Sequence, residues 1–584
     1  MPEFPLTSAY WPADTSVPLL ETTIGSILRD AATRAPDKIA LIDGAPDDDA
    51  GDAGDPRGGR RRLWTYAELL AEAERAARAL LTRFAPGERI AVWSANSPEW
   101  IILDFGAALA GLTLVTVNPA NQADELAHVL GHSAADGLVM ADAYQGGDLR
   151  AILAAVRDRL PALREVISFG DWDAFTAKGA GNAQLPAVAP SDLAQLLYTS
   201  GTTGRPKGAL LTHRALTNNA RLAFARVGIG PDDVLVNPMP MFHVGGGLFT
   251  FGAVSAGAAQ VLMPRFSPAR QLELIETYRA TALLGVPTMM NAMLGQLDAA
   301  HGQGQDQRRR DVSSLRVAIS GGAVSPPALV RRIETELGLR YSISLAQTES
   351  SCSITMASAA DSADDRAETL GRPLPNTEVR IVDLRTGQTA ACGAVGEICA
   401  RGYLVMRGYL NAPEATAAAI DADGWLRTGD LGSMDERGYL RIAGRSKDMI
   451  IRGGENIYPR EIEEVLISHP AVAEAAVLGF PDEHYGEVVA AAIRPIRPAA
   501  PGPADGNLPR ELSDFCRARL AAYKVPVRWL VTEAFPLTAS GKIRKDVLLE
   551  TLAREAAPPR GASDCGVSDC GVSDCGVSDC SASG

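Results

Sequence analysis

An apolar run, Leu193 to Tyr198, empties into Thr199-Ser200-Gly201-Thr202-Thr203-Gly204-Arg205-Pro206-Lys207-Gly208. The run reads as a buried strand. The four hydroxyls, three glycines and one lysine that follow suit an anion with several oxygens. Glycines let the backbone turn and approach closely, N–H groups and hydroxyls donate to phosphate oxygens, and the lysine adds a point charge. The order is not that of a Walker A loop, which requires Gly-x-x-x-x-Gly-Lys-Ser/Thr, so a P-loop NTPase is disfavoured. A flexible surface turn is the competing reading of the same residues. Thr212 then stands where it can cap a helix beginning near His213.

The string YTSGTTGRPKG resembles the signature loop of the adenylate-forming enzymes, the family of acyl-CoA synthetases, peptide-synthetase adenylation domains and luciferases. That resemblance implies that Thr199, Ser200, Gly201, Thr202, Thr203, Gly204 and Lys207 hold the β- and γ-phosphates of ATP. It also orders the remaining motifs. In Met239-Pro240-Met241-Phe242-His243-Val244-Gly245-Gly246-Gly247, His243 reads either as a satisfied core histidine or as a residue at a pocket mouth. The resemblance places it at the entrance to the acyl site, and Gly246, Gly247 and Gly252 hint at room nearby. Ser320-Gly321-Gly322-Ala323 makes a turn with little side-chain bulk, which the resemblance lays along the adenine.

Leu345-Ala346-Gln347-Thr348-Glu349 falls where similar enzymes carry Tyr-Gly-x-Thr-Glu. The resemblance gives Thr348 the α-phosphate and Glu349 the Mg²⁺, a cation that suits one or two carboxylates plus phosphate oxygens and water. Leu345 and Ala346 depart from the pattern. A leucine still covers a purine face but loses ring stacking, worth about 0.5–1.5 kcal/mol. Ala346 is strained if the position needs a positive φ.

Further on, Asp430 ends Trp425-Leu426-Arg427-Thr428-Gly429-Asp430, and the resemblance assigns it the ribose hydroxyls. GRSKDMIIRGGENIYP, residues 444–459, is similar to the family's hinge. There Arg445 is implied to contact ribose and phosphate, Lys447 to be the pivot, and Gly453 and Gly454 to line the path of the CoA arm. Lys542, in Ala539-Ser540-Gly541-Lys542, matches the catalytic lysine. Two half-reactions are implied: a carboxylate attacks the α-phosphate of ATP, then the small domain turns about Lys447 and the CoA thiol attacks the acyl adenylate.

The elements that must position these residues alternate as an α/β protein would. Ile24 to Ala40 reads as an amphipathic helix. Thr65 and Glu68 form a capping box for a second helix. Strand-like Ile90 to Trp93, helical Trp100 to Ala110 and strand-like Leu114 to Val117 follow, with further strands around Gly137 to Ala141, Glu165 to Phe169 and Leu315 to Ile319. The expected fold is a large amino-terminal domain of layered α/β subdomains with mixed sheets, plus a small mobile α+β domain. The small domain carries a helix, Pro459 to Ser468, strand-like Glu474 to Gly479, a proline-rich excursion from Arg494 to Pro509, and helical Glu511 to Leu520. The boundaries expected are 1–443 for the AMP-binding part and 444–556 for the mobile part, with its hinge at 444–448. Residues 557–584 read as a disordered Ser-Asp-Cys-Gly-Val repeat tail, and a mobile insertion is expected at Asp47 to Arg62.

At 584 residues and 46% hydrophobic, the chain exceeds one core. Its net charge of −14 leaves no basic surplus for a nucleic-acid backbone. No signal-like apolar segment follows Met1, and no uncharged apolar stretch is long enough to span a bilayer, so the expectation is a cytoplasmic protein, monomeric or homodimeric. Cys352, Cys392, Cys399 and Cys516 are scattered as reduced core thiols would be. The reading is an ATP-, Mg²⁺- and CoA-dependent ligase of a carboxylic acid, with the medium- to long-chain fatty acyl-CoA synthetases as the most similar branch. Its rivals are an aryl-acid CoA ligase, an acyl-AMP ligase loading a carrier protein, and a nucleotide-binding protein impaired by Leu345-Ala346.

Overall fold

The computed structural model describes residues 5–45, 62–199, 206–302, 310–453, 455–482, 484–496, 508–537 and 543–556. The insertion expected at Asp47 to Arg62 falls almost wholly, and the repeat tail entirely, outside them, as do Ser200, Gly201, Thr202, Thr203, Gly204, Gly454 and Lys542.

Two α/β sheets carry the large part. In the six-stranded one the spatial order is Lys207–Thr212, Leu193–Thr199, Thr113–Val117, Arg89–Trp93, Gly137–Met140, Glu165–Ser168. The last five run parallel, and Lys207–Thr212 closes the sheet as an antiparallel edge. The segment after the glycine-rich loop is therefore a strand before it becomes a helix, which the sequence reading passed over. The helix His213–Arg226 does begin as expected, with the Thr212 side chain accepting from Ala215 N.

The nine-stranded sheet runs Arg372–Pro373, Cys352–Met356, Arg340–Gln347, Val317–Gly321, Ala282–Leu284, Val234–Asn237, Ala259–Leu262, Ile39–Asp43, Leu63–Thr65, parallel through its middle and antiparallel at both ends. Its Ile39–Asp43 strand corrects the long helix expected from Ile24 to Ala40. The helix is Ile24–Arg34, and Pro36 disfavours helical geometry at the residue before it. The next helix, Tyr66–Leu81, has the capping box of Thr65 and Glu68.

A five-stranded antiparallel sheet ends on Leu426–Met434 and Leu440–Arg445. After the short turn Ser446–Asp448, the chain enters a separate sheet of Glu455–Ile457, Ile450–Arg452, Gly486–Pro495 and Val472–Asp482, with Arg528–Val531 parallel to Gly486–Pro495. Helices Pro459–Ile467 and Leu508–Arg517 belong to this part, and their apolar faces share a buried cluster with Val477, Val489 and Ile493. The proline-rich excursion is shorter than expected at its start, because Arg494 and Pro495 are still paired in the sheet.

Helix Pro98–Leu109 has every residue but Glu99 buried, as befits a helix hydrophobic on all sides. Within it Asp104 is 2% exposed, and both carboxylate oxygens accept from Gln195 Nε2 at 3.0 Å. Burial pushes the Asp104 carboxyl up to about 7 from an ordinary 3.8. The folded state then holds a proton that the unfolded state releases. Stability on this account is fully present below the unfolded value and is lost as pH rises through about 7. Asp104→Asn keeps an acceptor for Gln195 without the charge. It should therefore stabilise the protein by about 2–3 kcal/mol more at about pH 8 than at about pH 5, read by denaturant unfolding at the two pH values. An equal effect at both would show that Asp104 does not titrate in this window.

Candidate active site

The carboxyl ends of parallel strands from both α/β sheets converge on one cleft of about 480 Å³. Its wall takes Tyr198 and Thr199 from the end of Leu193–Thr199, and Asn118 from beyond Thr113–Val117. Met239 follows Val234–Asn237, and Leu284, Gly285 and Val286 close Ala282–Leu284. The ends of Val317–Gly321 and Arg340–Gln347 supply Ile319 to Gly322, Ser344, Ala346 and Gln347. Parallel α/β sheets bind ligands in such crevices because the loops leaving the strand ends are free to diverge there.

Thr199 and Lys207 face each other across the antiparallel pair, so the two ends of the glycine-rich loop are held together at the cleft. Thr348 and Glu349 sit on the short turn Thr348–Ser350 that ends Arg340–Gln347, and both line the cleft with Lys207. Tyr409, which sequence reasoning did not single out, joins them. Its hydroxyl donates to Glu349 Oε1 at 2.7 Å, and Lys207 Nζ lies 5.2 Å from its ring centroid. Burial, with the Glu349 charge beside it, raises the phenol well above its ordinary value, which keeps it a donor. No motif marked Tyr409; Gly408 before it has φ +142, and a Cβ there would meet the Thr416 side chain, which only the folded chain reveals.

Asp430 is 4% exposed, and both its oxygens are engaged at the cleft edge. Gln347 Nε2 donates to Oδ2 at 2.9 Å, and Arg445 Nε lies 3.1 Å from Oδ1, with Asp430 and Arg445 paired in register across the sheet. Arg445 and the exposed Lys447 line the same rim, Lys447 lying on the turn between the last strand of one sheet and the first of the next. Gly321 and Gly322 also line it. Gly322 has φ +75, a conformation that favours glycine, and a Cβ on Gly321 would sit 3.0 Å from the Ser344 carbonyl oxygen. Ala323 is exposed beyond the wall.

His243 caps helix Val244–Ala256, its Nδ1 accepting from Gly245 N at 3.2 Å, while the residue lines the cleft. The loop before it is pinned from below. Asn96 donates to the Met239 and Met263 carbonyls at 2.8 and 2.9 Å and accepts from Met241 N at 2.8 Å; Thr116 donates to the Phe242 carbonyl at 2.9 Å.

Three expectations change here. Leu345 does not cover the cleft; it is 7% exposed in a buried cluster with Ile354, Ile381 and Leu404, and Ala346 takes the wall, next to a shift of strand register between the two residues. Ala346 is extended with an ordinary negative φ, so no backbone strain replaces the absent glycine; a few residues on, Ser351 and Cys352 have positive φ, at 53 and 107. The glycines taken as room are filled. A Cβ on Gly246 would strike the Pro240 backbone and one on Gly252 the Phe224 ring, so these two glycines bring helix Val244–Ala256 close to its neighbours, whereas one on Gly247 would only touch Phe251 of the same helix. Gly453, at φ +59 with its N–H donating to the Tyr485 carbonyl, stands outside the cleft wall in this arrangement. Cys352 lines the cleft, but burial pushes its thiol up to about 12, which suits a wall and not a nucleophile.

Among solved structures, the anthranilate CoA ligase AuaEII in complex with anthranoyl-AMP matches with a TM-score of 0.80 and 26% identity, over 93% of this chain and 99% of that one. The fold is that of the adenylate-forming ligases, a large amino-terminal part and a small carboxy-terminal domain. The family model for the AMP-binding enzyme matches residues 28–410, and that for the AMP-binding enzyme C-terminal domain residues 461–542. The chain belongs to the AMP-binding enzyme family and is an AMP-forming acyl-CoA synthetase. YngI of Bacillus subtilis (strain 168), named as a candidate acyl-CoA synthetase, is 37% identical over 91% of this chain and 97% of its own. The mitochondrial medium-chain acyl-CoA ligase ACSF2 of Macaca fascicularis is 34% identical over 92% and 88%. Among the described residues no helix is long and apolar enough to cross a membrane.

Proposed function

We propose that the protein ligates a medium- to long-chain fatty acid to CoA through an acyl adenylate, with the cleft as its active site. One observation carries the reading: the cleft sets Thr199, Lys207, Thr348 and Glu349 beside an apolar wall of Met239, Leu248, Leu284, Val286 and Ile319. The polar end suits a triphosphate and the apolar wall an alkyl chain. In this reading Lys207 and the loop hydroxyls hold the β- and γ-phosphates, Thr348 the α-phosphate, Gly321 and Gly322 flank the adenine, and Asp430 with Arg445 meets the ribose. Lys542, outside the described residues, offsets charge between carboxylate and phosphate.

Glu349 fits Mg²⁺, which takes one carboxylate and draws its other ligands from phosphate and water; no cluster of three or more His, Cys, Asp or Glu side chains competes for a metal among the described residues. When bound, the cation would offset phosphate charge. For the second half-reaction the small domain swings about Lys447 and brings Gly453 and Gly454 to the thiol path. Departure of Leu345 from the usual tyrosine removes a stacking ring, but Ala346 adds no strain, so the reading is an active enzyme and not a nucleotide binder alone. A cytoplasmic setting belongs to the same reading and rests on the scattered body cysteines.

The test is CoA-dependent AMP release across straight-chain and aromatic acids. Each methylene buried on the apolar wall should raise kcat/KM by about fourfold until the wall is filled, giving an optimum among medium or long chains. The likeness to an anthranilate ligase supports the alternative of an aryl acid. Benzoate or anthranilate outrunning every alkanoate would establish that alternative.

A further inference from the structure

We infer that Tyr409 is a positioning residue that holds the phosphate-loop lysine and the metal-binding carboxylate at a fixed separation. The inference rests on the ligase reading of the cleft. Tyr409 presents its hydroxyl to Glu349 Oε1 at 2.7 Å and its ring to Lys207 Nζ at 5.2 Å. Opposite charges in one cleft would otherwise collapse into an ion pair, each neutralising the group the nucleotide needs; among the described residues no ion pair joins Lys207 to Glu349. A phenol between them satisfies one carboxylate oxygen and leaves Oε2 for a cation.

The backbone around Tyr409 is stitched to both partners. Leu410 N donates to Gly208 O at 2.8 Å, Leu210 N to Gly408 O at 3.0 Å, and Arg407 N to Leu210 O at 2.9 Å, all on the strand that starts at Lys207. Met406 N donates to Glu349 O at 2.9 Å. Four residues of the segment 406–410, those on either side of Tyr409, thus bind through their backbone the loop strand on one side and the carboxylate turn on the other. Groups that hydrogen-bond a metal-binding carboxylate orient it before the cation arrives, and losing one weakens metal binding by about 10–100-fold.

Binding of Mn²⁺ to the full-length protein with α,β-methylene ATP, followed by the electron paramagnetic resonance of free Mn²⁺, tests this. Tyr409→Phe keeps the ring and loses the hydroxyl. It should weaken Mn²⁺ about tenfold while leaving metal-free nucleotide affinity, measured by calorimetry, unchanged. Tyr409→Leu removes ring and hydroxyl, and both affinities should fall. Tyr409→Phe binding Mn²⁺ as tightly as the wild type overturns the positioning role alone. A wild type that takes up no Mn²⁺ with the nucleotide overturns the ligase reading of the cleft, and this inference with it.

Discussion

Glu349→Gln is expected to cut acid-dependent ATP–pyrophosphate exchange by about a hundredfold or more, because the site loses its one formal negative charge where the cation would bind. The substitution preserves volume, and the amide oxygen can still accept from Tyr409 at the position of Oε1. Glu349 sits on a turn at the cleft and not in the core, so the melting temperature should move little. The loss should appear as a higher Mg²⁺ requirement together with a lower rate. Exchange at a near-wild-type rate with an unchanged Mg²⁺ profile would remove Glu349 from the metal site and leave Thr348 and the nucleotide to account for binding.

Lys542→Ala should separate the two half-reactions. Its expected role is to offset the charge that develops between carboxylate and α-phosphate, and removing one such group costs about 10²–10³-fold in rate. Adenylation, read by pyrophosphate exchange, should fall by that amount. Thioester formation from supplied acyl adenylate and CoA should stay close to wild type, since in the proposed mechanism the small domain has by then turned about Lys447. Equal loss in both assays would mean that Lys542 serves the fold or the nucleotide site in both states. Loss in neither would leave the lysine without a part in the chemistry.

The two predictions draw on different kinds of information. Lys542 is known only through its place in an ordered set of motifs, whereas Glu349 stands with Lys207, Thr199 and Tyr409 in one cleft. The proposed preference for a medium- to long-chain acid lies between these cases. It depends on an apolar wall whose residues, Leu248, Leu284, Val286 and Ile319, carried no motif at all.

What the sequence determined by itself was local. The capping box at Thr65 and Glu68, the Thr212 cap and the largely apolar strand before the phosphate loop depend on neighbours a few residues away, and side-chain chemistry at that range is legible in one dimension. The order of the phosphate-loop, Thr348-Glu349, Asp430 and hinge motifs was legible for the same reason. Tertiary structure alone decided the rest. Whether Leu345 or Ala346 faces the cleft turned on one register shift between Arg340–Gln347 and Cys352–Met356, and a shift of one residue reverses the face of a strand. Whether Gly246 and Gly252 made room or allowed contact turned on what packs against them, Pro240 and the distant Phe224. Tyr409 meets Glu349 across 60 residues of sequence because its segment zips onto the strand beginning at Lys207. Such pairings are fixed by which strand ends the sheets bring together, and no spacing along the chain encodes them.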